Sequence, residues 1–229
     1  MFKQRSYKKE LLDGDAIPAK DLYQNLKELD VINAFLGGYR MTFSALKKTL
    51  KKNKEYTLVD IGCGGGDTLK RIFKWNETQK YALNLFGVDL KQVCIDYALE
   101  NKPNSAIKYI CEDYKNIYTH LPKIDIIHAC LFCHHLTNEE IIKLIKFAQL
   151  NSSTLIINDL ERNAFAYYSI KILTQIFSKS YLVKNDAPLS VLRGFSRSEW
   201  KNIIQKSGAE NYSINYKWAF RHEVIIYAS

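Results

Sequence analysis

Three short stretches hold the side chains best suited to chemistry. Val59-Asp60-Ile61-Gly62-Cys63-Gly64-Gly65-Gly66-Asp67 joins an apolar run to a helical one through glycines. Such a turn brings backbone N–H groups and bare Cα atoms beside a bound ligand. Cys130-Leu131-Phe132-Cys133-His134-His135 crowds two thiols and two imidazoles behind another apolar run. Imidazole as a side-chain type titrates near neutral pH, which suits it to draw a proton from a weakly acidic hydroxyl, an effect worth ~10²–10⁴-fold in rate. Asp159, in Ile156-Ile157-Asn158-Asp159-Leu160, is a carboxylate able to orient such an imidazole or hold a second hydroxyl.

Competing chemistries fit less well. The dinucleotide pattern G-x-G-x-x-G, begun at Gly62, needs glycine where the chain has Asp67; begun at Gly64, it needs glycine at Leu69. The C-x-x-C-H stretch Cys130 to His134 suggests covalent haem or zinc. Haem attachment belongs to exported proteins, and the N-terminal Met1 to Glu10 lacks the apolar core of an export signal. Four ligands so close together at a strand end cannot easily surround one tetrahedral ion, so no metal is expected. His128, inside an apolar run, reads as a core residue.

The elements that must position these groups alternate. Helical spacing covers Asp21 to Leu36 and Met41 to Leu50, broken at Gly37-Gly38. Strands are predicted at Tyr56 to Ile61, Leu83 to Val88, Ile107 to Cys111, Ile124 to Leu131 and Thr154 to Ile157, with helices resuming at Leu69, spanning Gln92 to Leu99, and running from Glu139 to Leu150 behind a Thr137 N-cap. Ala164 to Phe177 reads as a helix apolar nearly all round, and Ser180 to Phe195, with Pro188 and Gly194, as irregular. A helix from Ser196 to Ser207, stopped by Gly208, leads to strands at Tyr212 to Lys217 and Phe220 to Tyr227. The expected class is α/β: a Rossmann-like, doubly wound, mainly parallel seven-stranded sheet with helices on both faces. One domain is expected, with a helical cap (1–52), a core (53–160), an insertion over the ligand edge (161–195) and a last helix with two strands (196–229).

Asp60 two residues before Gly62-Cys63-Gly64-Gly65-Gly66 resembles the first motif of the class I S-adenosylmethionine-dependent methyltransferases. Gly87-Val88-Asp89-Leu90 and Cys111-Glu112-Asp113-Tyr114 extend the likeness to the next two strand ends. The resemblance implies that Asp60, Gly62, Cys63, Gly64 and Gly66 cradle the cofactor, Asp89 takes the ribose hydroxyls, Leu90 packs on adenine, and Asp113 with Tyr114 holds the ring. It places Ala129 and Cys130 beside the sulfonium. Phe132-Cys133-His134-His135-Leu136 is similar to a His-His segment of small-molecule O-methyltransferases, implying His135 as leading base, with His134 and Asp159 assisting. Glu10-Leu11-Leu12-Asp13, Leu29 to Asn33, Gly37-Gly38 and Leu160 to Asn163 resemble a bacterial subgroup associated with type III polyketide synthases. The apolar character of the helix Ala164 to Phe177 suits a lid over the acceptor, with core packing or a homodimer contact as the alternatives, and Arg162 and Arg193 are candidate substrate contacts or else face solvent.

Composition narrows the alternatives. Over 229 residues, 33 basic and 24 acidic side chains give a net charge of +9, which raises an RNA or protein methyltransferase as a rival reading. The lysines fall at helix-surface spacing, as in Lys47, Lys48, Lys51 and Lys52, and read as a solvated face, so a small-molecule acceptor is favoured and nucleic acid is not. A non-catalytic module that keeps the cofactor site is a third reading. Five scattered cysteines and no spanning segment suit a reducing cytoplasm.

Overall fold

The computed structural model describes residues 2–14, 17–101 and 106–228. Its strands are β1 (Glu55–Ile61), β2 (Ala82–Asp89), β3 (Ile107–Cys111), β4 (Ile126–Cys130), β5 (Thr154–Leu160), β6 (Tyr212–Lys217) and β7 (Arg221–Ile226). They form one sheet in the order β3-β2-β1-β4-β5-β7-β6. The first five strands are parallel, and β7 runs antiparallel to both of its neighbours. The helices are α1 (Ala19–Phe35), α2 (Gly38–Thr49), α3 (Asp67–Gln79), α4 (Gln92–Glu100), α5 (Asn138–Leu150), α6 (Ala164–Phe177), α7 (Tyr181–Arg193) and α8 (Arg197–Ser207).

The pleat divides the strand side chains between two layers. Val59, Ile127, Leu155, Ile157 and Val224 meet Leu144 and Ile145 of α5 and Trp200 and Ile203 of α8. One residue out of phase, Leu58, Ile126, Ile156 and Ile225 meet Leu46 of α2, Leu69 and Ile72 of α3 and Ile95 of α4. Both faces are dry, which is why these strands read as unbroken apolar runs. The chain leaves β1 toward β2 on one side and returns to β4 on the other, and a crevice opens where the carboxyl ends of the strands part.

Ser180 to Phe195 is not irregular, since α7 occupies Tyr181–Arg193 with Pro188 inside it. Leu182, Val183, Leu189 and Val191 are buried, and their packing outweighs the one hydrogen bond that proline cannot donate. Asp60, expected at the ligand edge, is instead buried at one end of a polar line crossing the α2 side of the sheet. Its Oδ1 lies 2.6 Å from His128 Nδ1, and His128 Nε2 lies 3.2 Å from Thr42 Oγ1. Asn158 Nδ2 reaches Thr42 Oγ1 at 3.2 Å, while Arg221 Nη1 donates to Asn158 Oδ1 at 3.0 Å. A carboxylate in a dry layer is tolerated only with such partners.

Candidate active site

Between β1 and α3 the backbone turns through Gly62, Gly64 and Gly66, whose φ values are +63°, +52° and +72°. Side chains with a Cβ rarely adopt that region. At Gly62 a Cβ would also stand 2.3 Å from the Phe132 ring, and at Gly66 2.3 Å from the Tyr109 hydroxyl. The turn opens on a cleft of about 570 Å³ lined by Gly62, Cys63, Gly64, Asp89, Leu90, Asp113, Tyr114 and Cys130. The Asp89 carboxylate accepts from the backbone N–H of Gly64 and of Lys91, each at 2.9 Å. Burial nevertheless pushes its pKa up. Asp113 accepts from Lys115 N at 3.0 Å, and Leu90 offers the cleft an apolar side chain 70% exposed. Gly66 and Ala129, expected against the cofactor, do not line the cleft: Tyr109 covers the first and core packing encloses the second.

A second cavity of about 510 Å³ adjoins the cleft, walled by apolar residues that include Ile32, Leu36, Phe165, Ile170, Val183 and Phe220. Leu12, Leu29, Leu131 and His135 line both spaces. His134 lines the second. Leu131 holds φ +53° at this partition, a conformation costing roughly 1–2 kcal/mol for a non-glycine residue.

The two histidines are held alike. Nδ1 of His134 lies 2.7 Å from Asp159 Oδ1, and its backbone N–H donates to Asp159 Oδ2 at 3.0 Å. Nδ1 of His135 lies 2.9 Å from Asp13 Oδ1. Both Nε2 atoms then face Glu10, at 3.7 and 3.9 Å. Burial pushes the Glu10 carboxyl up to about 7, against the pull of His135 and Ser190. At Asp159 burial pushes the same way, but the charge and hydrogen bond of His134 outweigh it and the pKa is lowered. At Asp13 burial is likewise outweighed, by the hydrogen bond and charge of His135.

Glu10, His134 and His135 each bring one possible ligand atom within 4.8 Å of the others. Tetrahedral zinc at bonds of ~2.0–2.1 Å sets its donor atoms about 3.3 Å apart, so this trio would have to contract to grip an ion. The thiols of the C-x-x-C-H stretch do not join it, for Cys133 is packed in the α5 and α8 core.

Arg162 and Arg193, expected against substrate, line neither space. Arg162 donates to the carbonyls of Phe2 and Gly194 and pairs with Glu199 at 2.8 Å. Arg193 donates to the carbonyls of His134 and His135 at 2.9 and 3.0 Å and to Asp13 at 3.2 Å. Such dense bonding to fixed carbonyls makes both structural clamps. Sequence reasoning singled out none of Asp13, Glu10, Asn25 or Arg221 as site residues. Glu10 and Asp13 stood in a stretch noted for its resemblance alone, and nothing in local spacing marked Asn25 or Arg221.

A doubly wound sheet whose glycine turn and next two strand-end acids, Asp89 and Asp113, open on one cleft is the architecture of a class I methyltransferase. Residues 58–150 match the methyltransferase domain family, a match that supports a methyltransferase using S-adenosylmethionine. Among solved structures, the plantazolicin methyltransferase BpumL in complex with SAH is 20% identical, with 92% of this chain and 89% of that chain covered and a TM-score of 0.65. The citrinin polyketide synthase CMeT domain is 14% identical over 80% of this chain and 49% of that chain, with a TM-score of 0.58. The CurJ carbon methyltransferase is 14% identical over 82% and 52%, with a TM-score of 0.56. At these identities the likeness concerns the fold. No curated protein matches the chain.

Proposed function

We propose that the chain transfers the methyl group of S-adenosylmethionine to a hydroxyl oxygen of a small, largely apolar acceptor such as a phenol. The observation that carries this reading is the shared wall: His135 borders both the cleft and the apolar cavity. The cleft takes the cofactor, with Asp89 toward the ribose hydroxyls, Leu90 and Tyr114 toward adenine, Asp113 toward its amino group and Cys130 toward the sulfur. The acceptor takes the cavity, whose apolar walls suit a small molecule better than a nucleic-acid strand.

When bound, the cofactor supplies an electrophilic methyl on a cationic sulfur. Asp13 fixes the His135 ring by its Nδ1, leaving Nε2 to receive the acceptor's proton. Asp159 holds His134 in the same sense deeper in the cavity. Leu12, Leu29 and Leu131 exclude water from the partition, which strengthens the electrostatics within. Among the described residues no helix is long and apolar enough to cross a membrane. We also place the protein in the reducing cytoplasm, a setting that its free cysteines suit.

The test is methyl transfer from labelled S-adenosylmethionine to a panel of alkylated phenols, amines and carbon acids. Labelled ethers are expected. Labelling of amines or carbon alone would overturn the oxygen assignment.

A further inference from the structure

The acceptor cavity carries two hydrogen-bond donors that the protein leaves unsatisfied. Arg221 is 2% exposed and Asn25 1% exposed, and both line the cavity. Nε of Arg221 and Nδ2 of Asn25 have no partner among the described residues. Buried donors are nearly always paired, and a lone guanidinium edge is costlier than a lone amide.

The acids around the cavity are already engaged. Asp159, which acts on Arg221 electrostatically, accepts from His134 and from Leu160 N at 2.7 Å. Asp186 accepts from the backbone N–H of Leu11 and Leu12 at 2.8 and 2.9 Å. Glu10 accepts from Ser190 at 2.8 Å. Meanwhile the polar line from Asp60 fixes Arg221 Nη1 on Asn158, so the guanidinium cannot swing out to water. Its Nε edge is left for whatever the cavity holds, and that edge favours a planar anion with two oxygens.

We infer that the acceptor is an acid, with an apolar body, a carboxylate seated on Arg221, a second contact to Asn25 and its methylated hydroxyl toward His135. This rests on the acceptor assignment made above.

Calorimetry on the full chain saturated with S-adenosylhomocysteine tests it, with 4-hexyl-2-hydroxybenzoate and the corresponding carboxamide as probes. The carboxylate is expected to bind ~10–100-fold more tightly than the carboxamide, as a charge-assisted pair should. Arg221→Gln is expected to erase that advantage and Arg221→Lys to keep part of it, while thermal melting reports whether each variant folds. A probe pair that wild-type protein binds equally or not at all overturns the inference, as does an advantage that survives Arg221→Gln. The wild-type comparison stands even if the variants misfold. Failure to take up S-adenosylhomocysteine, read before any probe is added, would strike the methyltransferase assignment instead.

Discussion

An imidazole pinned at Nδ1 by a carboxylate has one nitrogen left for chemistry, and His134 and His135 are both held so. His135→Ala should therefore lower kcat by ~10²–10⁴-fold while leaving S-adenosylhomocysteine affinity unchanged, a split that steady-state kinetics and calorimetry will read together. Glu10, facing both rings, supplies a pH signature. Burial pushes its carboxyl from 4.5 to about 7, a shift corresponding to roughly 3 kcal/mol. Between those values the folded chain keeps a proton that the unfolded chain releases, so this contribution to stability falls as pH rises from 4.5 to 7. Glu10→Gln should flatten that portion of the pH dependence, measured as urea midpoints from pH 4 to 8. Asp13 and Asp159 work the other way: their lowered pKa values contribute stability above the ordinary carboxylate range that is lost on acidification. The histidines and Asp159 were legible in the sequence because each follows or ends a strand at one edge of the sheet. Asp13 was not, for it meets His135 across 122 residues, and no local spacing records such a contact.

The histidine segment is a short turn between β4 and α5, and α7 holds it from outside. Arg193, at the carboxyl end of α7, donates to the carbonyls of both histidines and to Asp13, while Arg5 donates to the carbonyl of Leu136 at 3.0 Å. Arg193 touches neither space, so its role is positioning. Arg193→Met should lower kcat by ~10-fold or more through misplacement of the bases and leave the KM for S-adenosylmethionine little changed; if KM rises while kcat holds, positioning is the wrong description. The α7 helix escaped the sequence reading because Pro188 and Gly194 are strong local breakers. Its buried side chains are supplied with partners by α1, α6 and the N-terminal turn, and none of those contacts is local. By contrast, the Thr137 cap of α5 was readable because a cap is made within four residues.

The alternation of apolar runs with helical periods revealed the layered sheet, since dry faces demand dry strands. The two adjoining spaces were not revealed, because their walls draw on residues from Glu10 to Arg221 and exist only once the layers close. In the cleft wall the Phe132 ring lies where a side chain at position 62 would stand and leads straight into Cys133, His134 and His135. The glycine turn and the histidine turn are wedged against one another at this point, so a shift in one displaces the other. Gly62→Ala should then produce two defects from one methyl group: a higher KM for S-adenosylmethionine and, at saturation, a lower kcat. Ordinary damage to a nucleotide cradle would show the first alone.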